Sequence, residues 1–464
     1  MRGAIAAGHP LTAEVGARVL AEGGNVVDAA VAAGFASWVT ESALTGPGGG
    51  GFMLVHRARD RSTRVLDFFV TVPSGGGDAE AMQSVGVPFD SETTQIFLVG
   101  PASVAVPGAA AGLEHAHRRF GSLPWRELVA PAVGLARLGV EVTPTQAYLH
   151  EILAAILGPS PAVGERLRFV DFAATLERIA DEGTTFLFKG DVARALCGAA
   201  PQITMEDLAG YRVITRRPVR TTFRGHQFAS NPPPSSGGVL IAYGLQLLER
   251  RARFEAADVL KTMRGQSAVR DRLFHAQLYR GGLARRLVDA PSMTTHISVV
   301  DAQGNAASLS CSLGSGSGVV IPGTGLFLNN MLGELDLAGL QRSGARLTSM
   351  MAPSICFDQG RTRLVVGSAG SARLRGAIMQ VVVNVLARKM DVEAAVEAPR
   401  VHLDEGIVHA EEGVDLRWAG PERLTRWKAR NLFFGGANAV EVLRDGTLAA
   451  AGDVRRGGAA VVVE

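Results

Sequence analysis

The sequence predicts an α+β fold, in which a helix-rich part of about 290 residues precedes a strand-rich part of about 170. Three observations carry this. Apolar residues in the first part recur at helical spacing. From Thr294 onward the chain breaks into short β-like runs. The 464 residues, 47% hydrophobic and 20% charged, are enough to bury a large layered core.

The elements follow in order. Leu11, Val15 and Val19 mark a helix over 10–22, and Val27, Ala30, Val31 and Phe35 mark a second over 25–39. Gly23-Gly24 separates the two, and Asn25 suits the cap of the second. FMLVH (52–56) and TRVLDFFV (63–70) read as strands. Residues 111–157 read as mostly helical, punctuated by Pro124 and Pro144, and 190–210 as helical again. NPPPSSGG (231–238) is a rigid turn into a helix, with helices continuing to about 288. Beyond it THISVV, AASLSCSL, GLFLNN, RLVVGS, AVEVL and AAVVVE are strand-like, interrupted by helical stretches near 373–390 and 392–399. The second part reads as able to complete the sheets of the first.

Composition excludes several classes. The net charge is 47 − 44 = +3, and the chain from Thr294 onward carries 17 basic and 17 acidic residues, so no basic stripe or charged tail marks a nucleic-acid binder. Cys197, Cys311 and Cys356 are odd in number and far apart, which builds neither a disulfide framework nor a zinc site. No apolar run reaches the ~18 residues of a membrane span, and MRGAIAAGHP lacks the order of a signal peptide. These features predict a soluble protein of a reducing compartment, most simply the cytoplasm, without cofactor, membrane or nucleic-acid partner.

Several motifs are weaker than they look. GPGGGG (46–51) lacks the Lys-Ser/Thr of a phosphate loop, and a strand follows it where a helix should. GSGSG (314–318) lacks the strand–turn–helix setting of a dinucleotide site. His115 and His117 fall on different faces of a helix, unsuited to one metal. A GxSxG elbow is absent. Thr294-Thr295 alone is ordinary strand chemistry.

Taken together, HPLTAEVGARVLAEGGNVVDAAVA (9–32), GPGGGGFMLV (46–55), VPG (106–108), NPPPSSGG, TTHISVVD (294–301), LFLNN (326–330), RLTSMMAPS (346–354), GSAGSAR (367–373) and GDVRRGGAA (452–460) resemble the γ-glutamyltranspeptidases, from about residue 3 to 462. The resemblance implies the N-terminal nucleophile hydrolase fold, a four-layer αββα sandwich. It also implies self-cleavage between Met293 and Thr294 into a large subunit (1–293) and a small subunit (294–464) that stay intertwined as a heterodimer. Thr294 becomes the nucleophile and Ser312 stands where the family has a hydrogen-bonding threonine. Gly370 and Ser371 match a two-glycine oxyanion element. The chemistry is consistent. A threonine hydroxyl needs a base, and a freed α-amino group, with a pKa of about 7.7–8.0, can serve.

The resemblance breaks at substrate recognition. Phe69 occupies the place of the arginine that binds the γ-glutamyl α-carboxylate, Gly314 replaces an amide partner of the α-amino group, and Met331 stands where glutamine is expected. Glu334, in a divergent MLGELD run, is the nearest match to the acid for the ammonium; Thr348 and Ser349 match a serine pair on the carboxylate. Arg346, Arg373 and Arg375 flank these motifs as candidates to replace the missing cation. Three readings result. The first is a self-processing N-terminal-threonine hydrolase or acyltransferase, cleaving an amide of a small molecule with non-standard acyl specificity. The second is a biosynthetic relative cleaving a C–C bond of a dicarboxylated proline-type precursor in an antibiotic pathway. The third is an unprocessed, non-catalytic binding homologue.

Overall fold

The computed structural model describes residues 2–89, 94–251, 253–270, 294–334, 342–371, 373–404, 406–417 and 423–464. The helices expected beyond residue 270, and Met293, lie outside these residues.

Two antiparallel sheets stack face to face. We number their strands β1 (Gly3–Ala7), β2 (Gly50–Arg57), β3 (Ser62–Phe68), β4 (Ile214–Arg216), β5 (Val219–Phe223), β6 (His226–Ser230), β7 (Thr294–Asp301), β8 (Ala306–Ser312), β9 (Ser354–Asp358), β10 (Arg361–Ala369), β11 (Gly436–Val442), β12 (Leu448–Ala451) and β13 (Ala459–Val463). The first sheet runs β13-β1-β7-β8-β2-β3-β4 and the second β12-β11-β10-β9-β6-β5. Both sheets join strands from before and after residue 294: β1 sits between β13 and β7 in the first, and β6 pairs with β9 in the second.

The helices form two outer layers. On the first sheet pack α1 (Pro10–Ala21), α2 (Val26–Thr40) and α3 (Ala109–Phe120); α4 (Trp125–Leu138) packs on α2, and, after α5 (Pro144–Ile152), α6 (Val170–Glu182) packs on α4. On the second pack α7 (Gly237–Glu249), α9 (Arg373–Leu386) and α10 (Val392–Glu397), with α8 (Ala256–Ala268) packed on α7. Helix α2 is buried on every face, which its small residues permit; Asn25 and Asp28 close its start as a capping box.

Period-two alternation divides the core into layers. Along β7, Ile297 and Val299 join the apolar layer under α2, while Val300 faces the second sheet. Along β10, Leu364 and Val366 face α9 and Val365 faces the first sheet. The result is the four-layer αββα arrangement.

Several features escaped the sequence reading, strands β4 to β6 among them. Helix α6 buries Phe172, Ala173, Leu176 and Ile179, a helical spacing that was present to be read. Strand β1, GAIAA, has weak strand propensity and is fixed by pairing on both sides. A hairpin of Gln83–Pro88 with Thr94–Val99 packs beside the loop at Asn330–Gly333.

Candidate active site

Thr294 opens β7, fully buried, with no hydrogen-bond partner for its Oγ1 among the described residues. A buried hydroxyl left unpaired is costly, which marks this atom out. Its cross-strand partner is Ser312, at the end of β8. Directly paired residues present their side chains on the same face about 4.5–5.5 Å apart at Cβ, so the two hydroxyl-bearing side chains are neighbours. Ser312 Oγ accepts the Gly314 N–H at 2.9 Å.

Glycines 48–51 serve close backbone packing, not phosphate. A Cβ on Gly49 would overlap the Ser312 carbonyl, and one on Gly51 the Ser310 carbonyl. Only glycine lets β2 lie this close to the end of β8.

Two residues along β7, His296 fixes the distance between the sheets. Its ring lies against Gly367 of β10, where any Cβ would collide with it. Ser298 Oγ donates to the Asn438 carbonyl at 3.0 Å, so its single proton is committed and it accepts from His296 Nε2 at 2.9 Å. His296 Nδ1 then accepts from Ser310 Oγ at 2.8 Å. Burial lowers the His296 pKa to about 3, and the imidazole is neutral. Asn438 Nδ2 returns a hydrogen bond to the His296 carbonyl at 2.7 Å. Sequence reading missed both residues, although His296 lies inside TTHISVVD.

This register carries the nucleophile strand to the turn after β10. Val300 shares a cluster with Val365, and His296 lies on Gly367. β7 and β10 therefore run in opposite senses across the interface, and the start of β7 lies toward the end of β10. Gly370 has φ +119° and Ser371 φ +57°, and α9 begins at Arg373.

The recognition residues fall into two groups. Gly314 (φ +73°) is vacant of side chain because Asn330 occupies that space. A Cβ there would overlap Asn330 Oδ1 and stand 3.0 Å from Glu334 Oε1, so Gly314, Asn330 and Glu334 meet. Phe69 and Met331 instead lie in the apolar layer between the sheets, with Phe69 stacked on Phe52 at 5.4 Å. The 346–349 segment runs beside them: Leu347 donates to the Val70 carbonyl at 3.1 Å. Thr348 Oγ1 is buried without a partner among the described residues, and Ser349 Oγ accepts from Met351 N–H at 3.0 Å. The NPPPSSGG turn holds this segment, since Ser236 and Gly237 N–H both donate to the Ser349 carbonyl.

The flanking arginines are already committed. Arg346 pairs with Asp67 at 3.2 Å, donates to the Arg212 carbonyl at 2.6 Å and contacts the Phe69 carbonyl and Tyr211 hydroxyl. Arg373 donates to the Phe433 carbonyl at 2.9 Å and to Gln95 at 3.1 Å. Arg375 is buried in α9.

Behind Thr294, the Thr295 hydroxyl donates to Glu41 Oε2 at 2.5 Å. Burial is the main reason the Glu41 pKa is raised to about 7, opposed by hydrogen bonds from Thr295 and Thr12 and by the charge of Arg456. Nothing in the sequence singled out Glu41. Among the described residues no group of His, Cys, Asp or Glu is arranged to hold a metal, and no helix is long and apolar enough to cross a membrane.

Comparison with known proteins agrees with this architecture. The chain is 33% identical to the acylase ACY 1 proenzyme of Pseudomonas sp. (strain SE83), over 100% of this chain and 94% of that protein. It is 33% identical to the glutathione hydrolase proenzyme of Pseudomonas aeruginosa, over 86% and 82%. The structure of cephalosporin acylase from Bacillus halodurans superposes with a TM-score of 0.82 at 22% identity, covering 100% of this chain and 96% of that one. The family profile Gamma-glutamyltranspeptidase matches residues 12–269 and 284–463. With the sandwich, the motifs and this match in agreement, the chain belongs to the gamma-glutamyltranspeptidase family.

Proposed function

We propose that this protein is a self-processing amide hydrolase or acyltransferase that uses Thr294 as its nucleophile and accepts an acyl group other than ordinary γ-glutamyl. The observation that carries this is the unpartnered, buried Thr294 hydroxyl at the start of β7, opposite Ser312.

In the precursor, Thr294 Oγ attacks the Met293 carbonyl carbon. The peptide C–N bond breaks, and the acyl group moves from nitrogen to oxygen as an ester. Water hydrolyses the ester, leaving a carboxylate on Met293 and a free α-amino group on Thr294. Segments 1–293 and 294–464 would remain together, because each sheet is built from strands of both. In turnover the α-amino group takes the Oγ proton and Oγ attacks the substrate carbonyl. The oxyanion is stabilised by backbone N–H groups of the Gly370–Ser371 turn. The amine leaves with a proton, and water or a second amine releases the acyl group.

The relatives named as proenzymes support processing, and one named as an acylase supports amide chemistry. Phe69 and Met331, packed into an apolar layer, support altered acyl recognition. The test is mass spectrometry of protein quenched during turnover of a panel of acyl anilides. The expected result is an acyl adduct on Thr294 of a 294–464 fragment, absent in Thr294→Ala. Turnover that survives Thr294→Ala would refute the assignment.

A further inference from the structure

Glu41 follows the last turn of α2, is buried, and enters no step of the mechanism above. Its carboxyl meets β7 one residue from the nucleophile. Thr295 Oγ1 donates to Oε2 at 2.5 Å, and Thr12 Oγ1 of α1 donates to Oε1 at 3.3 Å. Gly8 leaves the space for this contact: a Cβ there would overlap Glu41 Oε2 and stand 2.9 Å from Thr295 Oγ1. The main chain of the same turn is tied to the end of β8. Leu44 and Thr45 N–H donate to the Glu41 carbonyl, and the Leu44 carbonyl accepts from Leu313 N–H, next to Ser312. Side chains alternate along a strand, so Thr295 turns toward Glu41 and the helices while Thr294 turns to the opposite face.

An anion is disfavoured at this place. Burial removes water, and the C-terminal end of α2 opposes negative charge. Burial raises the Glu41 pKa to about 7, while Thr295, Thr12 and the charge of Arg456 hold it down. The titratable groups around it do not change charge near that pH. His9, before α1, is lowered to about 4 and His150 of α5 is lowered, both by burial. Cys311 of β8 is raised by burial and by Glu41. Arg456, in the C-terminal turn, is lowered to about 9 by burial and then by Arg373. Losing its proton strengthens the bond from Thr295 to Glu41, because a hydrogen bond to a carboxylate is shorter and roughly twice as strong as one to a neutral group.

We propose that Glu41 is a positioning residue for self-cleavage: its carboxylate holds Thr295 and thereby fixes the strand end from which Thr294 attacks the Met293 carbonyl. This rests on the reading of Thr294 as nucleophile. In the continuous chain Thr294 has no free α-amino group, and the ionisation that governs self-cleavage near neutral pH is that of Glu41.

The test follows self-cleavage of freshly translated full-length chain by denaturing electrophoresis, from about pH 6 to about pH 8.5. The wild-type rate should rise through an apparent pKa near 7. Glu41→Gln should lose that inflection and cleave at least about 10-fold more slowly at the upper end, the loss expected when a hydrogen bond to a charged group is weakened. Thr295→Val should be slowed alike, the double variant no further, and Thr295→Ser should recover the rate. A second reading does not need cleavage. In the Thr294→Ala chain, infrared difference spectra should show a carboxyl band lost as pH rises through about 7 and absent with Glu41→Gln. Adding Thr295→Val should move its midpoint upward, because the Thr295 bond favours the ionised form. The same pH profile in wild type and Glu41→Gln, or an infrared midpoint unmoved by Thr295→Val, would overturn the proposal. A wild-type chain that never cleaves refutes the nucleophile reading and takes the proposal with it, and a moved infrared midpoint tells that case from failure of the Glu41–Thr295 contact itself.

Discussion

Ser371 holds a left-handed backbone, φ +57°, in a turn whose proposed work is done by main-chain N–H groups. Such a conformation costs an L-residue about 1–2 kcal/mol, partly offset in glycine by its freer unfolded chain. Ser371→Gly should therefore keep activity and leave stability equal or raised by up to about 1 kcal/mol, measured by urea melts and initial rates. Proline, whose φ is fixed near −65°, fits neither the turn nor the donor pattern, and Ser371→Pro should cost about 10²–10³ in rate. Phe69 makes the opposite case. It is stacked on Phe52 inside the apolar layer, so Phe69→Arg alone buries an unpaired cation. Wild type should turn over γ-glutamyl anilide poorly, and only Phe69→Arg combined with Met331→Gln should raise that rate. The departures at Phe69, Gly314 and Met331 were legible in the motifs. Glu41 was not, because its contact with Thr295 joins segments far apart in the chain.

At the scale of elements, the register between β7 and β10 depends on His296 lying on Gly367. Gly367→Ala places a methyl against a ring held by Ser298 and Ser310, and overpacking of this kind costs about 1–3 kcal/mol. The urea midpoint should fall and activity with it, since the Thr294 level shifts against the oxyanion turn. The same imidazole predicts a pH dependence. Its folded pKa, about 3, lies below the unfolded value near 6.5, so the unfolded chain binds a proton first as pH falls. Its contribution is present above pH 6.5 and is lost progressively down to about 3. His296→Gln, which keeps one donor and one acceptor, should show a shallower acid loss in urea midpoints measured from pH 7 to 4, whatever its stability at pH 7. Helices α1 and α2 were readable from spacing and capping. β1, short and alanine-rich, was not, because its strand character comes from neighbours on both sides.

For the whole molecule, the sandwich interleaves segments on either side of residue 294 so that neither forms a complete sheet alone. The switch in composition near Thr294 was visible in the sequence, and the interleaving was not, since strand order is set by long-range pairing. On the proposed mechanism one peptide bond in this continuous fold breaks to create the base the nucleophile needs. The most direct measurement is denaturing electrophoresis of purified protein with N-terminal sequencing of the fragments. Two bands are expected near two-thirds and one-third of the chain, the smaller beginning at Thr294, and a single intact band for inactive Thr294→Ala. A wild-type chain that remains intact while fully active would contradict it.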